Sequence, residues 1–124
     1  MTVQELYESI GGNYESAKRI LMNDKLISRF IAKLLDDTSC ARLLAAEETM
    51  DPAGLFEGAH AMKGVYANLG LDALSRAASE IAEEYRPGNP RRLSDDEVHA
   101  RLAEIRTQNE HAMEEIRSFL QEQA

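Results

Sequence analysis

Apolar residues recur at helical spacing along almost the whole chain. One broad apolar face comprises Leu26, Ile27, Phe30, Ile31, Leu34 and Leu35, which stand at steps of one, three and four residues. A second seam alternates steps of four and three residues through Val98, Leu102, Ile105, Asn109, Ala112, Ile116 and Phe119. No alternating strand pattern persists beyond a few residues, so the sequence predicts an all-α fold.

Start and stop signals divide the chain into helices. Capping-box spacing at Thr2 and Glu5, and again at Ser94 and Glu97, predicts the first and last helices. Asp51 before a proline is a further strong start signal. Further helix starts are predicted at Asn13, at Asn23 or Asp24, and at Leu71. Breaks between helices are predicted at Gly11 with Gly12, at residues 36–39, at Gly70 and at residues 86–90.

Long amphipathic helices joined by short links predict an antiparallel four-helix bundle with short additional helices at the N-terminus. A length of 124 residues suits one domain, which we place over residues 1–124, and we expect it to act as a monomer.

Net charge and composition exclude several classes of partner and compartment. The formal net charge of -8 argues against nucleic acid and anionic membranes as general partners, because both require a basic surface. No apolar run approaches the length of a membrane span. The lone cysteine, Cys40, cannot form an internal disulfide. We therefore expect a cytoplasmic protein.

The segment of residues 59–70 carries the most reactive combination of side chains. In a helix, His60, Lys63 and Gly64 share one face, since they stand three and four residues apart. The imidazole is a nucleophile near neutral pH, and the ammonium one turn away can hold a phosphoryl group once it is attached. Glycine inside a helix costs about 1 kcal/mol relative to alanine. Close approach by another molecule is a reason to accept that cost.

A single histidine on a helix is more commonly a surface residue or a satisfied half-buried one. His60 differs because it lies off the apolar side of its helix, and because the side chain three residues later is a cation and not a carboxylate. The apolar side of that helix comprises Leu55, Ala59, Met62, Tyr66 and Leu69. We therefore expect a solvent-accessible imidazole.

The run from His60 through Lys63 and Gly64 to Gly70 resembles the phosphorylation motif of histidine phosphotransfer (HPt) domains. These domains are phosphocarriers in multistep bacterial two-component relays. Residues 11–15, Gly-Gly-Asn-Tyr-Glu, are also similar to the opening of short stand-alone bacterial HPt proteins. By helix order the resemblance covers most of residues 1–86, and the last helix matches only in being long and amphipathic.

The resemblance implies a role for each matching residue. His60 is then the phosphoacceptor through its outer ring nitrogen, Lys63 neutralises the phosphoryl oxygens, and Gly64 leaves room for the loops of a partner. Gly70 is a helix cap, and Ala61 stands where the family often has serine or threonine. The implied partners are receiver domains of response regulators or a hybrid histidine kinase, with no cofactor and no bound metal of its own.

A docking surface around His60 is a further prediction. Phe56, Glu57 and Ala67 lie one or two turns from it on the same face. The sequence allows two interpretations of Phe56, as an apolar anchor for a partner or as an ordinary core residue.

Other functions remain as alternatives. The chain lacks a glycine-rich nucleotide loop and a Walker lysine motif. We therefore expect that it is not an enzyme and that it does not phosphorylate itself from ATP. A phosphate-free module that docks on a receiver or kinase and regulates it is the main alternative. An acid–base enzyme would have Glu57 as the nearby carboxylate partner of His60. The other two histidines, His99 and His111, are too far apart on one helix to share a metal.

Overall fold

The computed structural model describes residues 1–123, and these residues form seven α-helices and no β-strand. The helices are α1 (Val3–Ser9), α2 (Tyr14–Leu21), α3 (Asp24–Lys33), α4 (Ser39–Ala46), α5 (Pro52–Asn68), α6 (Asp72–Tyr85) and α7 (Asp95–Gln123). One turn of 3₁₀-helix, Leu34–Asp36, extends α3. The predicted all-α class is confirmed.

The helices form an antiparallel bundle around one apolar core. Helices α5 and α6 make the most extensive helix pair, α4 packs on α5, and α7 runs along the bundle and contacts α1, α3, α4 and α6. The two helices α1 and α2 are the short additional elements at the N-terminus. Fully buried large side chains from six helices fill the centre, including Leu6, Tyr7, Ile27, Ile31, Leu43, Leu55, Met62, Tyr66, Ile81, Leu102 and Phe119.

Local capping chemistry sets the helix starts as predicted. The Thr2 hydroxyl accepts a hydrogen bond from the Glu5 backbone N–H at 3.1 Å, and the Thr2 N–H donates to the Glu5 carboxylate at 2.8 Å. Ser94 and Glu97 repeat this capping box at the start of α7. Of the two candidate starts for α3, Asn23 is the cap, because its side chain accepts from a backbone N–H of the first turn.

A tight turn at Gly70 folds α6 back against α5. Gly70 has φ +73°, a conformation in which a side chain is strained. A Cβ there would also lie 2.8 Å from the Asn13 carbonyl oxygen, while the Asn13 N–H donates to the Gly70 carbonyl at 2.7 Å. Gly70 therefore ends α5 as predicted, and in addition it lets the N-terminal segment contact this turn.

Two glycines of α5 allow α4 to approach closely. A Cβ at Gly58 would lie 2.7 Å from the Leu43 Cα, and one at Gly54 would lie 3.2 Å from the Ala46 Cβ. Both distances are shorter than ordinary van der Waals contact. The α4–α5 interface therefore requires a small residue at position 58.

One sequence-based expectation is wrong in detail. Phe30 was placed in the buried stripe of α3, but its side chain is 37% exposed because the short helix turns only Ile27 and Ile31 fully inward. The connection after α6 also contains an ion pair with one buried partner. Arg91 Nε donates to Glu84 at 2.6 Å, and the Glu84 side chain is only 4% exposed.

The buried Glu84 carboxylate organises the connection between α6 and α7. It accepts hydrogen bonds from the backbone N–H groups of Arg92 and Leu93 at 2.9 and 3.0 Å, in addition to the bond from Arg91. Burial alone raises the pKa of Glu84, but these hydrogen bonds outweigh burial and hold its pKa below the usual value. A charged Glu84 thus holds the loop against the end of α6.

Candidate functional site

His60 lies on the outer face of α5, where its side chain is exposed. Leu55, Ala59, Met62 and Tyr66 turn the opposite side of this helix into the core. The ring of Phe56, one turn earlier, stacks on the imidazole with a centroid separation of 5.4 Å and an interplanar angle of 19°. Phe56 itself is half-buried. The stack restricts the orientation of the imidazole while leaving it accessible.

Lys63 is half-buried at the edge of α5 that faces α6. Its carbonyl oxygen accepts a hydrogen bond from the Ser75 hydroxyl at 2.9 Å, which couples the backbone at this point to α6. Within residues 1–123 the Lys63 ammonium forms no ion pair with a carboxylate. The ammonium is therefore available to an anion that arrives next to His60.

Gly64 has open space above it. A Cβ built at this position meets no atom within 4 Å, in contrast to the close contacts at Gly54 and Gly58 on the same helix. Packing within the described protein thus gives no reason for glycine at position 64. The approach of another molecule to this position stays a prediction.

Two residues at the end of α6 complete this surface. Arg86 donates from Nε and Nη2 to one carboxylate oxygen of Glu83 at 3.1 and 2.8 Å. The Arg86 guanidinium carbon also lies 5.3 Å from the centroid of the Phe56 ring, the ring that stacks on His60. The hydrogen bond from Arg86 lowers the pKa of Glu83, and the charge of Lys63 contributes to the same shift.

Glu83 and Arg86 were not predicted from the sequence. They lie on the helix after that of His60, and no local motif marks them. Their position depends on the register of the α5–α6 pair, which the Gly70 turn and the bond between Ser75 and the Lys63 carbonyl help to fix.

The remaining predicted contact residues share the outer face of α5. Glu57 is exposed and Ala67 is half-buried. A shallow depression of about 240 Å³ borders this face between α3 and the end of α5. Its lining is largely apolar and comprises Phe30, Lys33, Leu34, Asp37, Val65, Asn68 and Leu69.

The other histidines and the cysteine are structural in this arrangement. His99 pairs with Glu47 at 2.6 Å, and His111 lies 3.0 Å from the Ser9 carbonyl oxygen. Burial raises the pKa of the Cys40 thiol to about 11, so it is not a reactive thiolate at neutral pH.

Residues 1–123 include no group of three or more His, Cys, Asp or Glu side chains placed to hold a metal ion. None of their helices combines the length and apolarity needed to cross a bilayer.

The family model for the Hpt domain matches residues 25–122. The chain therefore belongs to the Hpt domain family and is a histidine phosphotransfer module of two-component signalling. Searches of curated proteins and of solved structures returned no significant match.

The matched region differs from the region over which the sequence resemblance was recognised. It begins in α3 and continues through α7, so the last helix belongs to the family fold more fully than its amphipathic pattern alone implied. The residues 11–15, which resembled the opening of stand-alone HPt proteins, lie before the matched region.

Proposed function

We propose that this protein relays a phosphoryl group between the aspartates of receiver domains, with His60 as the phosphoacceptor. The observation that supports this most directly is the exposed imidazole of His60 beside the open space at Gly64. An acyl phosphate on a receiver can approach only a nucleophile that projects from a surface with room around it.

The transfer step is a displacement at phosphorus. The lone pair of the neutral His60 Nε2 attacks the phosphorus of the aspartyl phosphate. The P–N bond forms as the P–O bond to the aspartate breaks, and the carboxylate leaves with the electron pair. The imidazole keeps its proton on Nδ1. The same step in reverse delivers the phosphoryl group to the aspartate of a second receiver, and the receivers supply the metal ion.

Lys63 stabilises the phosphoryl group in this proposal. A phosphoryl group brings about two negative charges to the surface of α5. A charge-assisted hydrogen bond contributes about 1.5–3 kcal/mol in favourable surroundings and less where solvent and salt screen it. Because the ammonium has no carboxylate partner within residues 1–123, it does not have to break an ion pair first.

The receiver docks on the outer face of α5. Phe56, Glu57 and Ala67 border His60 there, and Gly64 admits the loops that carry the receiver aspartate. The apolar depression beside α3 offers additional area for an apolar side chain of the partner.

The first test is transfer from a receiver domain charged with acetyl phosphate. Wild-type protein should acquire an acid-labile label, and His60→Gln should acquire none, while its circular dichroism spectrum stays helical. His99→Gln and His111→Gln are matched controls that should be labelled as wild type, because their rings contact Glu47 and Ser9 away from the proposed site.

Label that persists in His60→Gln would overturn the assignment. A wild-type protein that binds the receiver but takes no label would instead support the phosphate-free docking module. Incubation with ATP alone should give no label.

A further inference from the structure

The end of α6 brings a second cation to the surface that carries His60. Arg86 contacts two groups there, the Glu83 carboxylate and the Phe56 ring. That same ring stacks on the imidazole of His60 at 5.4 Å. Arg86 and His60 are therefore both neighbours of a single aromatic ring.

The contacts that hold Arg86 are easily exchanged. The side chains of Arg86 and Glu83 are 38% and 52% exposed, and an ion pair exposed to this degree adds little to stability. The guanidinium can move along the aromatic face of Phe56 without losing a cation–π contact at once. Glu83 also keeps a second donor, since Asn89 Nδ2 lies 3.5 Å from its other carboxylate oxygen.

We propose that Arg86 is a second phosphoryl-binding cation, held by Glu83 in the free protein and transferred to the phosphoryl group once His60 is phosphorylated. The inference rests on the proposed function of His60. A phosphoryl group carries about twice the charge of a carboxylate, and its oxygens match the planar fork of guanidinium donors. The exchange from Glu83 to the phosphoryl group is therefore favourable.

Glu83 has a distinct role in this arrangement. In the free protein its carboxylate offsets the charge of Arg86 and lies in the field of Lys63, as the lowering of its pKa shows. It thereby lowers the attraction of this surface for other anions. After phosphorylation the two cations, Lys63 and Arg86, approach the phosphoryl group from the α6 side.

The test uses phosphoramidate, a small phosphoryl donor that requires no receiver. The lifetime of phosphohistidine on the full chain is followed by ³¹P NMR. Arg86→Gln should shorten it about two- to fivefold, as expected for one exposed ionic contact. The lifetime in Arg86→Lys should lie between those of wild type and Arg86→Gln, because an ammonium lacks the bidentate fork. Glu83→Gln should retain or lengthen the wild-type lifetime.

Arg117→Gln is the matched control, because it removes the same charge from an exposed position on α7. It should leave the lifetime unchanged. A second measurement follows the Nε–Hε signal of Arg86 by ¹⁵N NMR. That signal should shift when wild-type protein is phosphorylated and should stay in place when His60→Gln is treated in the same way.

The outcomes separate the two proposals. No phosphohistidine at position 60, from phosphoramidate or from a charged receiver, overturns both. A labelled His60 with equal lifetimes in wild type and Arg86→Gln, together with an unmoved Arg86 signal, overturns the role of Arg86 and leaves the phosphocarrier function in place.

Discussion

Gly64 is a residue at which stability and function should oppose each other. Alanine at this helical position meets no atom, so Gly64→Ala should stabilise the free protein by about 0.5–1 kcal/mol. The melting temperature should then rise by about 2–4 °C. Gly64→Gln should leave the bundle folded but slow transfer from a receiver steeply, because the longer side chain occupies the path of the partner. Thermal unfolding and transfer kinetics measure the two effects.

Gly58 supplies the control for this prediction. It lies on the same helix, but a Cβ there meets the backbone of Leu43, so Gly58→Ala should destabilise the protein by about 1–3 kcal/mol. Transfer by the folded fraction of Gly58→Ala should be close to that of wild type. Wild-type transfer rates in Gly64→Gln would refute the role of Gly64 as an access position.

Lys63 should act on the phosphoryl group more than on docking. Lys63→Ala should slow transfer or shorten the phosphohistidine lifetime, since the ammonium that neutralises the phosphoryl oxygens is lost. Receiver affinity, measured by titration calorimetry, should change little. Lys25→Ala is a suitable control, because this exposed lysine at the start of α3 lies beside Thr2 and Phe119 and borders neither His60 nor the depression between α3 and α5. Equal lifetimes in wild type and Lys63→Ala would contradict the proposed role.

At the scale of the elements, the α6–α7 connection depends on the ionised form of Glu84. The folded-state pKa of Glu84 lies below its ordinary value, so its contribution is fully present above the unfolded-state pKa and is lost as the pH falls through the folded-state pKa. Glu84→Gln should lower the free energy of unfolding by about 1–2 kcal/mol at pH 7. The difference from wild type should shrink below about pH 4.

Urea unfolding at a series of pH values measures this dependence. Glu80→Gln is the matched control, since Glu80 lies one turn earlier on α6 and pairs with Arg101 at the exposed surface. Its effect should be smaller and should depend less on pH. If the two variants behave alike, the buried carboxylate does not hold the loop.

Local signals explain which features were predictable from the sequence. Helix starts at Thr2, Asp51 and Ser94 depend on hydrogen bonds across three residues, so the residues themselves specify them. The exposed face of His60 follows from helical periodicity in the same way. Phe30 was misplaced because periodicity shows which residues share a face, but not how far a short helix is covered by its neighbours.

The missed features depend on contacts between helices. The need for a small residue at Gly58 depends on how closely α4 approaches α5. The position of Arg86 beside Phe56 depends on the register of α6 against α5. The pairing of Arg91 with Glu84 was not predicted, because nothing in the loop sequence shows that Glu84, on the preceding helix, is buried. Such pairings are set by the assembled bundle and have no counterpart in the spacing of the sequence.

At the scale of the whole molecule, α7 connects distant parts of the bundle. His99 near its start contacts Glu47 after α4, and His111 further along contacts Ser9 at the end of α1. The Tyr66 hydroxyl of α5 donates to the Asn109 side chain of α7. This bond links α7 to the core side of the helix that carries His60. One long helix therefore links the site-bearing helix to α1 and to the end of α4, and we expect cooperative unfolding.

The distribution of charge matters more for partner choice than its sum. The net charge is -8, yet His60 lies on a surface with Lys63 and Arg86 as neighbouring cations. Local fields of this kind orient an approaching anionic group even on a protein whose total charge is negative.

If His60 is the phosphoacceptor as proposed, its exposure also limits how long a phosphoryl group persists on this protein. A phosphoryl group that a receiver can reach is also exposed to water, so it is lost by hydrolysis as well as by transfer. The phosphorylated fraction then reflects the balance between phosphorylation and hydrolysis. After a brief input this fraction falls unless a second receiver accepts the phosphoryl group first. In the proposed relay, Lys63 and Arg86 set the lifetime of phosphohistidine, and Gly64 sets the rate at which receivers add and remove the phosphoryl group.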